Sequence, residues 1–195
     1  MRLFLALDID DEIRGRLVRF MDGVRDFAPD ARWVKPESLH VTLKFIGEVP
    51  EIFPDRIRQG LQGVHVHTFQ LRFQGYGFFP SSKATRVFWV GIDAESQLGE
   101  LARAINASLE KLGIAKDEHA FSPHLTLARG AGRSGVPHRR GEDSPNKVFQ
   151  VLQKHLAALP QPDFGSMTAN EFYLYQSQLS PKGSKYTKLE QFGLS

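Results

Sequence analysis

The chain has 195 residues, with 25 Lys plus Arg against 22 Asp plus Glu for a formal net charge of +3, and 41% of its residues are hydrophobic. Those values exclude a disordered, collagen-like or low-complexity chain, and about 70% of the unfolded surface can be buried at this length without a disulfide or metal staple. Cysteine is absent, which removes thiol nucleophiles, iron–sulfur clusters, Cys-based zinc sites and disulfides from the functions to consider.

Leu3 to Ile9 is short and apolar and predicts a buried strand. Its apolar run stops at Asp8, too short for a signal-peptide core, and no stretch approaches the length of a transmembrane helix. A soluble cytoplasmic protein is expected. Asp10 and Asp11 then offer an N-cap and a first-turn acid. Ile13, Leu17, Phe20, Met21 and Val24 follow at helical spacing, and Pro29 closes that helix. Trp33 and Val34 start a short extended piece, and Leu39 to Ile46 alternates as a strand. Ile52 to Leu61 predicts a second helix, and Phe69, Leu71 and Phe73 a half-buried strand. Gly75 to Pro80 is expected to be a turn-rich link, followed by a strand from Arg86 to Ile92.

Leu98, Leu101, Ile105, Leu109 and Leu112 mark a third helix ended by Gly113. Phe121 to Leu127 predicts another strand, and the Gly-, Arg- and Ser-rich stretch from Gly130 to Pro145 a long loop. A short helix is expected from Val148 to Leu159 and a strand from Glu171 to Gln178. A turn at Ser180-Pro181-Lys182-Gly183 and a last strand from Tyr186 to Phe192 complete the chain. Strands and helices mix without regular alternation, which predicts an α+β fold. The order strand, helix, His-bearing strand occurs in both halves. Residues 1–195 are therefore read as a single bilobal domain of two pseudo-symmetric lobes, each a mainly antiparallel sheet flanked by helices, facing across a central cleft.

The His-bearing strands read His40-Val41-Thr42-Leu43 and His124-Leu125-Thr126-Leu127. Strand residues i and i+2 share a face, so each strand sends its apolar residues to a core and presents an imidazole beside a hydroxyl. If the lobes are related by a pseudo-twofold, the two pairs converge on one cleft. Such a set suits in-line displacement at phosphorus. One imidazole takes a proton from the incoming oxygen and the other gives one to the leaving oxygen, each transfer contributing about 10²–10⁴ in rate. The Thr hydroxyls are suited to donate to non-bridging phosphoryl oxygens. This scheme calls for no metal or cofactor, and no metal-ligand motif or phosphate-cradling Gly-rich loop is present in the sequence. The two strands are equivalent in sequence and do not say which imidazole is the acid.

With these motifs the chain resembles the 2H phosphoesterase superfamily, in its RNA 2′,3′-cyclic phosphodiesterase or 2′-5′ RNA ligase branch. The resemblance covers nearly the whole chain. It includes Met1-Arg2-Leu3-Phe4-Leu5-Ala6, Trp33-Val34, Ser38 to Gly47, Arg86 to Gly91, Phe121 to Arg129, Leu174 to Ser177, Leu179 to Gly183, and Tyr186. It implies hydrolysis of a 2′,3′-cyclic phosphate on an RNA end to a 2′-phosphate. In some members it implies joining of tRNA halves through a 2′-5′ bond. It also implies that His40 is the proton donor to the leaving 3′-oxygen and His124 the base that activates water. The implied partner is RNA with a cyclic-phosphate end, or a nucleotide, acted on by a monomer away from any membrane.

Further substrate-binding candidates are Lys44, Phe45, Arg129 and Tyr186. Lys44 shares strand parity with His40 and Thr42. Arg129 falls on the apolar side unless its strand ends or bulges after Leu127. Phe45, Tyr76, Phe78 and Phe79 are candidates for base stacking, with core packing the simpler role. Arg133, His138, Arg139 and Arg140 cluster in the long loop and could steer RNA. His65 and His67 have no third ligand beside them in sequence and read as surface residues, and His119 and His155 carry no pattern. Two other functions fit the same sequence: a cyclic phosphodiesterase for a small nucleotide such as an ADP-ribose cyclic phosphate, and a non-catalytic module that binds RNA ends.

Overall fold

The computed structural model describes residues 1–81, 85–117, 120–130, 147–180 and 183–195. The elements run β1 (Arg2–Asp8), α1 (Asp11–Val24), β2 (Arg32–Trp33), β3 (His40–Glu48), α2 (Phe53–Leu61), β4 (Phe69–Phe79) and β5 (Val87–Asp93). They continue with α3 (Gln97–Glu110), β6 (His124–Arg129), α4 (Gln150–Ala157), β7 (Asp163–Ala169), β8 (Glu171–Ser180) and β9 (Gly183–Gly193). Two sheets result, a four-stranded one in the order β3-β1-β8-β9 and a five-stranded one in the order β2-β6-β5-β4-β7. All pairings are antiparallel, and the fold is α+β.

Each His-bearing strand pairs with the strand that opens its half, β3 with β1 and β6 with β5. β3 is the edge of its sheet, and β6 is covered only by the two-residue β2. These two strands approach each other, with Cα atoms within 8 Å. The chain leading into β3 is also tied to β6, through pairing of Arg32 with Arg129 and a 2.8 Å bond from the Val34 amide to the Leu127 carbonyl. The edges that meet are therefore the edges that carry the histidines.

Helices lock the far faces. The Asp10 side chain caps α1 by accepting from the Ile13 amide at 2.8 Å. The helix then buries Ile13, Leu17, Met21 and Val24 and packs on β7 of the second sheet. α3 buries Leu98, Leu101, Ile105 and Leu109 and packs on β3 of the first. Each of these side chains contributes about 1.5–3 kcal/mol on full burial. Val41, Leu43, Leu125 and Leu127 join the same core, so their neighbours His40, Thr42, His124 and Thr126 face away from it.

Two expectations needed correction. Gly75 to Pro80 is not a turn-rich link, because β4 continues through Phe79, kept in register against β5 by a bulge between Gln74 and Tyr76. β7 was not anticipated, because Asp163-Phe-Gly-Ser-Met-Thr-Ala has few β-branched residues and a glycine at φ +91°. The segment from 131 to 146, with Arg133, His138, Arg139 and Arg140, lies outside the described residues, as do His119 and residues 181–182 of the expected turn. No helix among the described residues is long and apolar enough to cross a membrane.

Candidate active site

A cavity of about 450 Å³ lies between the two sheets. His40, Thr42 and Phe45 of β3 line it together with Thr126 and Arg129 of β6, a size within the roughly 300–1,000 Å³ usual for small-ligand pockets. Tyr186 and Ser184 of β9 line it as well, with Arg2 of β1 and Ser177 of β8, the cross-strand partner of Tyr186. His124 stands two residues before Thr126 on the same strand face, under Phe79 and Trp89, with ring centroids 4.9 and 6.3 Å from its own. It is adjacent to the cavity lining and not part of it.

Both imidazoles are held in the same way. The Nδ1 of His40 is 2.7 Å from the Ser38 carbonyl, and the Nδ1 of His124 is 2.7 Å from the Ser122 carbonyl. A carbonyl only accepts, so each Nδ1 carries the hydrogen and each Nε2 is left to take or give a proton. The motif is thus Ser-x-His-x-Thr-Leu in both halves. The serine two residues upstream matters through its carbonyl, a contribution that side-chain chemistry alone does not signal.

The strands also share an irregularity. Leu5 faces Lys44 and Ala6 faces Thr42, leaving Leu43 without a partner, while Phe88 faces Ala128 and Trp89 faces Thr126, leaving Leu127 without one. Each is a β-bulge that interrupts the two-residue alternation. Leu43 and Lys44 are both buried, as are Leu127 and Ala128, and the next residues, Phe45 and Arg129, emerge at the cavity. Of the two ways for Arg129 to reach the site, a strand end or a bulge, the bulge is present. It also takes Lys44 away from the cavity: its ammonium lies in the interior, bonded to the Ala115 carbonyl and the Asp117 carboxylate, both at 2.8 Å. The expected phosphate contact by Lys44 is replaced by a structural ion pair. Phe45 reaches the rim with 58% of its surface exposed, so the ring is open to a ligand.

Burial lowers the pKa of His40 to about 4. The Ser38 carbonyl and the Asp8 carboxylate work against that fall, and Arg129 and Arg14 add to it. Burial also lowers His124, opposed by the Ser122 carbonyl and assisted by Arg129. Arg129 therefore acts on both imidazoles. Its own pKa is lowered by burial first, and by Arg32 and Arg2, with Tyr186 working the other way.

The remaining aromatic candidates are structural. Tyr76 and Phe78 pack around the buried Phe88, and Phe79 packs on Trp89 and His124. His67 bonds the Ser195 carbonyl at 2.5 Å, and His155 stacks on Phe27. Arg2, Val34, Ser177 and Ser184 also line the cavity; none of them is a site candidate in the sequence, since residues on distant strands carry no local motif.

Residues 7–89 match the family model described as LigT like Phosphoesterase. An Archaeoglobus fulgidus protein named RNA 2′,3′-cyclic phosphodiesterase is 36% identical over 98% of this chain and 99% of its own length. The chain belongs to the LigT-like 2H phosphoesterase family. A Thermus thermophilus relative, also named RNA 2′,3′-cyclic phosphodiesterase, is 35% identical over 100% of this chain and 90% of its own. A solved Thermus thermophilus protein superposes with a TM-score of 0.76 at 33% identity, covering 100% of this chain and 98% of that one. E. coli LigT, crystallised with 3′-AMP, superposes at 0.77 and 26% identity, with the same coverage. As a LigT-like phosphoesterase the protein is a hydrolase.

Proposed function

We propose that this phosphoesterase hydrolyses the 2′,3′-cyclic phosphate at an RNA end to a 2′-phosphate, using His40 as acid and His124 as base and no metal. Nε2 of His124 takes a proton from water as the water oxygen bonds to phosphorus. The bond from phosphorus to the 3′-oxygen breaks, and Nε2 of His40 gives its proton to that oxygen. Thr42, Thr126 and Arg129 hold the non-bridging oxygens, whose charge persists through the transition state. Phe45 and Tyr186 flank the terminal nucleoside. With a 5′-hydroxyl in place of water, the same displacement makes a 2′-5′ linkage, so ligation is part of the reading.

The observation that carries it is the matched pair of imidazoles, each with Nδ1 donating to a carbonyl two residues upstream and Nε2 free. The names of the relatives support the substrate. His40 at about 4 is neutral at pH 7 in the protein alone. A bound phosphate monoanion offsets the Arg129 charge that depresses it and moves it toward the protonated form an acid requires.

The test is turnover of an RNA oligonucleotide ending in a 2′,3′-cyclic phosphate, with the 2′-phosphate identified by mass. His40→Ala and His124→Ala should each lower kcat by at least about 10², with circular dichroism unchanged and no response to EDTA in the wild type. Activity retained by either folded variant, or a strict metal requirement, removes the mechanism.

A further inference from the structure

A 2′,3′-cyclic phosphate carries one negative charge, and the proposed reaction already meets it with Arg129 and two threonines. The cavity holds more cationic and hydroxyl groups than that charge needs. Arg2 also lines it, together with Ser177 and Ser184. Arg2 and Ser177 are cross-strand partners in the β1–β8 ladder, and Leu179, two residues on along β8, pairs with Ser184. Arg32 stands directly across the β2–β6 ladder from Arg129.

Among the described residues none of these three arginines has an ion pair, although Glu48 is the cross-strand partner of Arg2. Arginines on and just after α1 do pair with carboxylates, Arg14 with Asp8, Arg16 with Glu12 and Arg25 with Asp22. Burial is the main cause that lowers the pKa of Arg129, and the Arg32 and Arg2 charges act in the same direction. Like charges gathered on a concave surface without carboxylate partners raise the local concentration of anions.

We propose that Arg2, with the Ser177 and Ser184 hydroxyls, binds the internucleotide phosphate on the 5′ side of the terminal nucleotide, so that the enzyme selects oligonucleotide ends over mononucleotides. The inference rests on the cyclic phosphodiesterase reading and adds its substrate length. The nucleoside between the two phosphates spans the cavity from Arg129 to Arg2, with Phe45 at the rim to receive its base. Arg32, outside the cavity lining, adds to the attraction without touching that phosphate.

The test compares three substrates: adenosine 2′,3′-cyclic phosphate, the ApA dinucleotide ending in a cyclic phosphate, and that dinucleotide with an uncharged methylphosphonate linkage. The wild type should favour the natural dinucleotide over the mononucleotide by about tenfold in kcat/KM, the scale of one charge-assisted contact. Arg2→Gln should remove that preference, the methylphosphonate should remove it in the wild type, and the two changes together should go no further than either alone. Equal turnover of all three substrates by the wild type overturns the inference and leaves the hydrolytic function standing. So does an Arg2→Gln loss of the same size on every substrate. Failure of the wild type to hydrolyse any of them sinks the proposed function, and this inference with it.

Discussion

Asp8 stands directly across the β1–β3 ladder from His40, and the equivalent place opposite His124, in the β5–β6 ladder, is Gly91. The two halves are alike in motif, bulge and carbonyl contact, yet one imidazole has a carboxylate partner strand and the other has none. Asp8 and His40 also share the lining of a second hollow, with Arg14, Glu37, Tyr175, Tyr186 and Lys188. The Asp8 carboxylate accepts from the Ile9 amide at 2.9 Å, Arg14 at 2.8 Å and Lys188 at 2.6 Å. Burial works to raise its pKa, and Lys188, the Ile9 amide and Arg14 outweigh it and keep the group ionised.

That asymmetry gives His40, and not His124, a carboxylate that favours the imidazolium, which is the form needed by the acid we propose. Asp8→Asn should push His40 further down, because it removes the carboxylate that opposes the Arg129 and Arg14 charges. Each pH unit lost from an acid already below its optimum costs about tenfold in its protonated fraction. The variant should therefore lose kcat at pH 7 by about tenfold and recover part of it at lower pH. A folded Asp8→Asn protein with an unchanged pH–rate profile would disconnect Asp8 from the acid.

The depressed His40 has a consequence for stability. The unfolded chain binds this proton with a pKa near 6.5, while the fold refuses it until about 4. The contribution is therefore fully present above the unfolded value and is lost as pH falls through the window from 6.5 to 4. Its full size is roughly 3 kcal/mol. Urea midpoints should fall over that window, and His40→Gln, which has no titrating ring, should show a flatter dependence. Parallel dependences in the two proteins would mean that other groups govern acid sensitivity.

Lys44 separates a structural lysine from a phosphate ligand. Its side chain is 2% exposed and its partner Asp117 45%, so the ion pair lies half in solvent and is worth less than a fully buried one. Lys44→Ala should destabilise by about 2 kcal/mol through the lost stem and the unpaired groups left behind. Lys44→Met keeps the volume and should stay within about 1 kcal/mol of the wild type. Both should retain kcat/KM in the folded fraction. A tenfold loss in folded Lys44→Met would return Lys44 to the list of phosphate contacts.

His40, Thr42, His124 and Thr126 were legible because two-residue parity holds from each histidine to its threonine. Parity then fails one residue later, at Leu43 and Leu127, and a bulge has no composition of its own. Lys44 was therefore placed on the wrong face, and Arg129 could be placed only conditionally. The strand through Gly75 and Gly77 was misread because glycine usually marks a turn. Its tertiary reason is that Gly77 leaves room for the Trp89 indole. The cavity wall of Arg2, Ser177 and Ser184 joins strands from opposite ends of the chain, which only the β1–β8–β9 pairing reveals.

Gly77 is therefore a position where a methyl group reaches the chemistry. It lies across the β4–β5 ladder from Trp89, and a Cβ built there would overlap the six-membered part of the indole. The Trp89 Nε1 is buried with no hydrogen-bond partner among the described residues, so packing against its neighbours sets the ring's position. Phe79 is packed against it at 5.0 Å between centroids, and both rings border His124. Gly77→Ala must displace the indole, and the displaced ring disturbs the imidazole of His124, the proposed base. Overpacking of this kind costs about 1–3 kcal/mol. The folded fraction of Gly77→Ala should lose kcat more than stability alone explains. Restoring space with Gly77→Ala/Trp89→Leu should recover kcat in part, because Leu is smaller than the indole and lets His124 return. A Gly77→Ala enzyme with wild-type kcat per folded molecule would show that the ring wall does not position His124.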